Sequence, residues 1–69
     1  MRDWRQIVGD NIGRLRRAKG LTQEELAFRA EIDLTYMGGI ERGKRNPSLL
    51  VLVGIAKALA VDLDTLLKR

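Results

Sequence analysis

Cysteine and histidine are absent from the 69 residues, proline occurs once, and tryptophan, tyrosine and phenylalanine occur once each. Without cysteine there is no disulfide scaffold, thiolate zinc site or cysteine nucleophile. Without histidine the chain lacks the commonest general base and the commonest metal ligand. Trp4, Phe28 and Tyr36 are too few to form a base-stacking platform for single strands. Long apolar runs are also missing. The most apolar stretch, Leu49 to Ala56, ends at Lys57, well short of the ~20 residues that span a bilayer. The start, Met1-Arg2-Asp3-Trp4-Arg5, is charged and leads into no apolar segment, so an export signal is not expected. No serine or threonine has a histidine to activate it, and no glycine loop cradles a phosphate. These absences predict a cytoplasmic protein that is not an enzyme, with no cofactor, no metal, no small-molecule substrate and no membrane partner.

What is present suits a folded chain. Hydrophobic residues make up 45% of the sequence, more than disordered chains carry. The length fits one small domain covering 1–69, in which about 60% of the unfolded surface becomes buried. The net charge of +4 is unevenly placed. Residues 1–20 carry +4, residues 21–43 carry −3 and residues 44–69 carry +3. Such basicity in a small domain points either to a polyanionic partner or to a merely solvated surface.

Apolar residues recur at helical spacing throughout, and no alternating strand pattern survives. Trp4, Val8, Ile12 and Leu15, with Ala18, form one stripe of a first helix that ends at Lys19-Gly20. Thr22-Gln23-Glu24-Glu25 is a capping box opening a short second helix, with Leu26, Ala27 and Ala30 inward. Asp33 caps a third helix from Leu34 to about Arg42; Met37 and Ile40 are its buried pair and Gly43 stops it. Asn46 is expected to cap a fourth helix with Pro47 at its first position, and with Leu49, Leu52, Val53, Ala56 and Leu59 as its core face. Asp62 is expected to cap a short fifth helix bearing Leu63, Leu66 and Leu67. The predicted fold is all-α, a compact five-helix bundle.

The second and third helices are short and joined by only Glu31-Ile32-Asp33, the spacing of a helix-turn-helix. Three segments strengthen this: Leu21-Thr22-Gln23-Glu24-Glu25-Leu26-Ala27, then Ile40-Glu41-Arg42-Gly43-Lys44-Arg45-Asn46-Pro47-Ser48-Leu49, then Ile55-Ala56-Lys57-Ala58-Leu59. Together they resemble the Cro and phage-repressor type of helix-turn-helix regulator, also called the xenobiotic-response-element type. The resemblance runs from about Ile12 to Leu67. The stretch Asp33 to Glu41 is also similar to the recognition helix of restriction–modification controller proteins.

The resemblance implies a lambda-repressor-like DNA-binding domain that regulates transcription from a (pseudo)palindromic operator in double-stranded DNA. It implies that Gln23 touches a phosphate and braces the third helix. Leu34, Thr35 and Gly39 take the positions that face bases, with Tyr36 nearby. Arg42, Lys44, Arg45 and Asn46 grip the backbone, and Arg16 and Glu41 form a buried ion pair. The sequence independently favours that pair, since Arg16 adjoins Leu15 and Glu41 adjoins Ile40. The third helix departs from a strong base reader, having no Arg, Lys, Asn or Gln at Leu34, Thr35, Gly38 or Gly39. The usual bidentate donors are missing there, so phosphate contacts and DNA shape are expected to carry more of the recognition. Gly38-Gly39 either lets DNA approach the backbone closely or bends the helix. Leu50, Val51, Gly54, Ala58 and Val61 form a second apolar stripe, the expected interface of a homodimer. The alternative is a protein-interaction module of the same fold, antitoxin- or antirepressor-like, with weak or lost DNA binding.

Overall fold

The computed structural model describes residues 3–69. Five helices follow in order: α1 (Trp4–Ala18), α2 (Gln23–Ala30), α3 (Leu34–Glu41), α4 (Leu49–Leu59) and α5 (Leu63–Leu66). Their boundaries follow from local chemistry. Asp3 caps α1 by accepting the Arg5 amide at 2.8 Å. The Arg5 guanidinium hydrogen-bonds the same carboxylate and holds its pKa near 2, below the ordinary 3.8. Gly20 ends the helix region with a φ of +71°, open to glycine at no steric cost. Both halves of the α2 capping box form: Thr22 Oγ1 accepts the Glu25 amide at 3.0 Å, and Glu25 Oε1 accepts the Thr22 amide at 2.8 Å. That second bond pulls the Glu25 carboxyl below its usual pKa. Asp33 caps α3 through the Tyr36 amide at 3.2 Å.

The fourth helix begins later than its Asn-Pro pair suggested. Ser48, not Asn46, is its N-cap, with Oγ accepting the Val51 amide at 3.2 Å. Pro47 therefore lies outside the helix instead of opening it. The inward face also differs from the expected one. Ile55, Ala56 and Leu59 are buried, Leu52 and Val53 are half-buried, and Leu49 is exposed. Asp62 precedes α5 without a side-chain cap hydrogen bond. Leu66 is buried there, whereas Leu67 is exposed.

Packing joins α1 to α3 and α5, α2 to α3 and α4, and α4 to α5. All five helices feed one core: Ile12 from α1, Leu26 from α2, Met37 and Ile40 from α3, Ile55 and Leu59 from α4, and Leu66 from α5. Trp4, expected on the inward stripe of α1, is instead half-exposed and stacks under Arg69, whose guanidinium carbon lies 5.2 Å from a Trp4 ring centroid. Ile7 takes a buried place beside Val8. Asn11 is the buried polar residue of that stripe. Its Nδ2 donates to the carbonyls of Leu66 and Lys68 at 2.8 and 2.7 Å, and its Oδ1 accepts from Arg14 at 2.8 Å. The buried amide is satisfied and pins the chain after α5 against α1. Among the described residues no helix is long and apolar enough to cross a membrane.

The crossing of α1 and α3 is close because of Gly9. A Cβ there would run into the Ile40 carbonyl oxygen and lie 2.8 Å from that of Glu41. Both are backbone atoms, which cannot swing aside. Gly9→Ala is therefore expected to destabilise the protein by about 1–3 kcal/mol through overpacking, against a gain of ~1 kcal/mol in helix propensity. Urea unfolding checks it; a variant as stable as the parent would mean the crossing can open freely.

Candidate nucleic-acid interface

The turn between α2 and α3 is short because Glu31 adopts a left-handed conformation (φ +58°) and the Ile32 amide returns to the Ala27 carbonyl at 3.0 Å. This lets α3 follow α2 directly while Leu26, Ala27, Met37 and Ile40 stay packed in one core. The arrangement is locked from behind by Glu41. Arg16 Nε donates to Glu41 Oε2 at 2.8 Å and an Arg16 terminal nitrogen to Oε1 at 3.2 Å. Gln23 Nε2 donates to the same Oε1 at 3.0 Å, and the other Arg16 terminal nitrogen to the Leu21 carbonyl at 2.8 Å. The two ionic side chains are only 13% and 7% exposed. One carboxylate thus holds α1, the start of α2 and the end of α3.

On the opposite side α3 turns outward. Leu34 and Thr35 are exposed at its first turn, and Tyr36 is half-buried against the core. Arg42, Lys44, Arg45 and Asn46 are all exposed where the chain leaves the helix. Gly43 makes that exit possible, with a φ of +73°. The Lys44 amide then bonds back to the Gly39 carbonyl at 2.9 Å, which turns the following residues toward α3. Gln23 stands at the α2 end of the same face. Its amide nitrogen is committed to Glu41, while its Oε1 lies beside Gly38.

Two placements differ from the sequence reading. Gly39 does not present bare backbone to a ligand: it is buried, and the position its Cβ would take lies 2.8 Å from Arg45 Cγ, 3.3 Å from Nε and 3.6 Å from Cδ. Gly38 is likewise covered, with an Arg42 terminal nitrogen 3.2 Å from its would-be Cβ. The helix continues through both glycines without interruption to Glu41. Asn46, besides being exposed, lines a hollow with Trp4, Arg5, Val8, Pro47, Leu52 and Leu67, so it is shared between the α3 exit and the start of α1.

The second apolar stripe is only partly free. Val51, Ala58 and Val61 are half-buried and pack against the core. Gly54 is half-buried on the α2 side, with the Ala30 carbonyl oxygen 3.9 Å from its would-be Cβ, a contact within the chain that the stripe reading missed. Leu50 is 80% exposed and Leu49 63%. The sequence reading also missed Asn11, although an amide in the apolar register of Trp4, Val8 and Leu15 signals a satisfied buried group. Among the described residues no cluster of three or more His, Cys, Asp or Glu is arranged to hold a metal.

A family model described as helix-turn-helix matches residues 12–66. The chain is 49% identical over 60 residues to y4dJ, an HTH-type transcriptional regulator of Sinorhizobium fredii, spanning 87% of this chain and 78% of that one. It is 37% identical over 67 residues to control protein C.SmaI of Serratia marcescens, spanning 97% and 80%. Among solved structures, the restriction-modification controller protein C.AhdI from Aeromonas hydrophila superposes with a TM-score of 0.88 at 44% identity, over 90% of this chain and 94% of that one.

Because Glu41 is nearly buried and satisfies two other helices, its removal strands the Arg16 charge. Glu41→Ala is expected to cost about 3–5 kcal/mol in equilibrium unfolding. A loss below ~1 kcal/mol would mean water replaces the carboxylate as it does in exposed pairs.

Proposed function

The chain belongs to the helix-turn-helix family of transcriptional regulators, and from that premise we propose that it binds double-stranded DNA as a small homodimer, with α3 in the major groove of a (pseudo)palindromic operator. The family's members regulate transcription and are not enzymes. The observation that carries the reading is the grouping of Thr35, Tyr36, Arg42, Lys44 and Arg45 around the outward side of α3, with Glu41, the carboxylate of that helix, turned inward. Cations therefore face a ligand while the acid is neutralised inside. A helix of this diameter fits the B-form major groove, and residues of its first turn meet base edges.

Leu34 and Thr35 supply a methyl contact and a hydroxyl at the base edges. Gln23, at the first turn of α2, brings its backbone amide beside a phosphate, its side chain being held by Glu41. Arg42, Lys44 and Asn46 bind the rails on either side, and residues 1–69 act as one domain. The names of C.SmaI and C.AhdI indicate the setting we propose, control of a restriction–modification system. The protein-partner alternative has less support, because an interaction module that had lost DNA binding has no need of this cationic exit from α3.

Two measurements test the proposal. Binding to a site selected from random duplex DNA is expected to weaken steeply with salt, and Lys44→Ala to flatten the slope of log K against log[salt] by about 0.9, one phosphate contact. An unchanged slope would remove Lys44 from the interface. We also propose that Leu50 and Val51, with Ala58 and Val61 behind them, meet a second copy. Sedimentation is expected to give twice the 7.8 kDa of one chain, and Leu50→Asp to halve it. Only single chains at micromolar concentration, with and without DNA, would count against a dimer.

A further inference from the structure

The outward stripe of α3 consists of Thr35, Gly38, Gly39 and Arg42, flanked by Leu34 and Tyr36, as helical spacing dictates. Two adjacent glycines in a helix are costly because glycine is the poorest helix former after proline. Both lie on a face that should be open to solvent, yet both are buried. The cover comes from long side chains: Arg42 and the end of Gln23 over Gly38, and Arg45 over Gly39. Three consecutive atoms of the Arg45 side chain, Cγ, Cδ and Nε, pass within 3.6 Å of the space that a Gly39 side chain would fill. Its guanidinium carbon then lies 5.7 Å from the Tyr36 ring centroid, one turn back toward the start of the helix. The hydrogen bond that the Lys44 amide donates to the Gly39 carbonyl sets where this side chain begins.

We propose that Gly39 is a specificity-determining position that acts through Arg45. By leaving the stripe bare, it seats the Arg45 side chain along α3, so that the guanidinium reads a guanine edge in the major groove instead of gripping a phosphate. The inference rests on the duplex-DNA reading above. It supplies a bidentate donor over the part of α3 formed by Leu34, Thr35, Gly38 and Gly39, which have none. Arginine pairs bidentately with guanine O6 and N7, and a guanidinium resting on an aromatic ring is pre-oriented, so less freedom is lost when the pair forms. Gly39 is a positioning residue here. Its partner makes the contact.

The test uses the full chain, with duplexes carrying the selected site, an unrelated sequence, or 7-deazaguanine at one guanine at a time. Gly39→Ala is expected to keep or raise the melting temperature, since alanine favours the helix, while losing about tenfold affinity for the selected site and less than twofold for unrelated DNA. Arg45→Lys, which keeps the charge but not the fork, is expected to lose as much, and the double variant no more than either alone. One 7-deazaguanine position should weaken the parent about tenfold and leave Arg45→Lys indifferent. If Gly39→Ala unfolds, Arg45→Lys against the modified duplexes decides the matter alone. A parent insensitive to every 7-deazaguanine, or Arg45→Lys losing equally on all sequences, overturns the assignment while duplex binding stands. A parent that binds no duplex at all overturns the duplex reading and this assignment with it.

Discussion

The position of α3 depends on one carboxylate. Glu41 receives Arg16 from α1 and Gln23 from α2, and Arg16 also reaches the carbonyl that ends the loop after α1. Apolar contacts bring these helices together, but they are non-directional. Hydrogen bonds to a nearly buried charge have fixed geometry and fail steeply when one partner leaves. The core therefore decides that the helices associate, and the Glu41 cluster decides at what mutual angle. Turning the only acid of α3 inward has an electrostatic consequence as well, since it leaves the outward side of that helix to cations.

Gln23 links fold and interface. Its amide nitrogen serves the buried carboxylate and its carbonyl end sits beside Gly38 on the outer face. A ligand drawn to the start of α2 therefore meets a side chain already fixed from inside, with little rotamer freedom left to lose on binding.

Much of this was legible in the chain. The capping box at Thr22 and Glu25, the Asp33 cap, the glycines that end helices and the Met37–Ile40 pair are local signals, and each corresponds to an observed boundary or buried face. The errors arose where a local signal had competitors. Asn46-Pro47 reads as a helix start, but Ser48 is an equally good cap and sits two residues later. Trp4 has the right register for the core but lies at the first turn of α1, at the rim of a hollow shared with Asn46, Pro47, Leu52 and Leu67, so its ring is left half-exposed. The site was legible as a list of residue types and not as an arrangement. Nothing in the spacing of Gly38-Gly39 and Arg45 says that a loop arginine folds back over a helix; that follows from the left-handed turn at Gly43 and the return bond from Lys44. The contact of Gly54 with Ala30 was not legible, because an apolar stripe on a helical wheel does not say which side a neighbouring helix covers.

The contact at Gly9 has a mechanical corollary. Where α1 meets α3, main chain rests on main chain, with no intervening side chain to compress or rearrange. The tilt of the outer helix is thus inherited from the scaffold behind it, as a blade takes its angle from a rigid handle. Drift in what this surface prefers must then come from exchanging the teeth on the blade, the protruding groups of α3 and its exit, because re-angling the blade itself would prise two backbones apart.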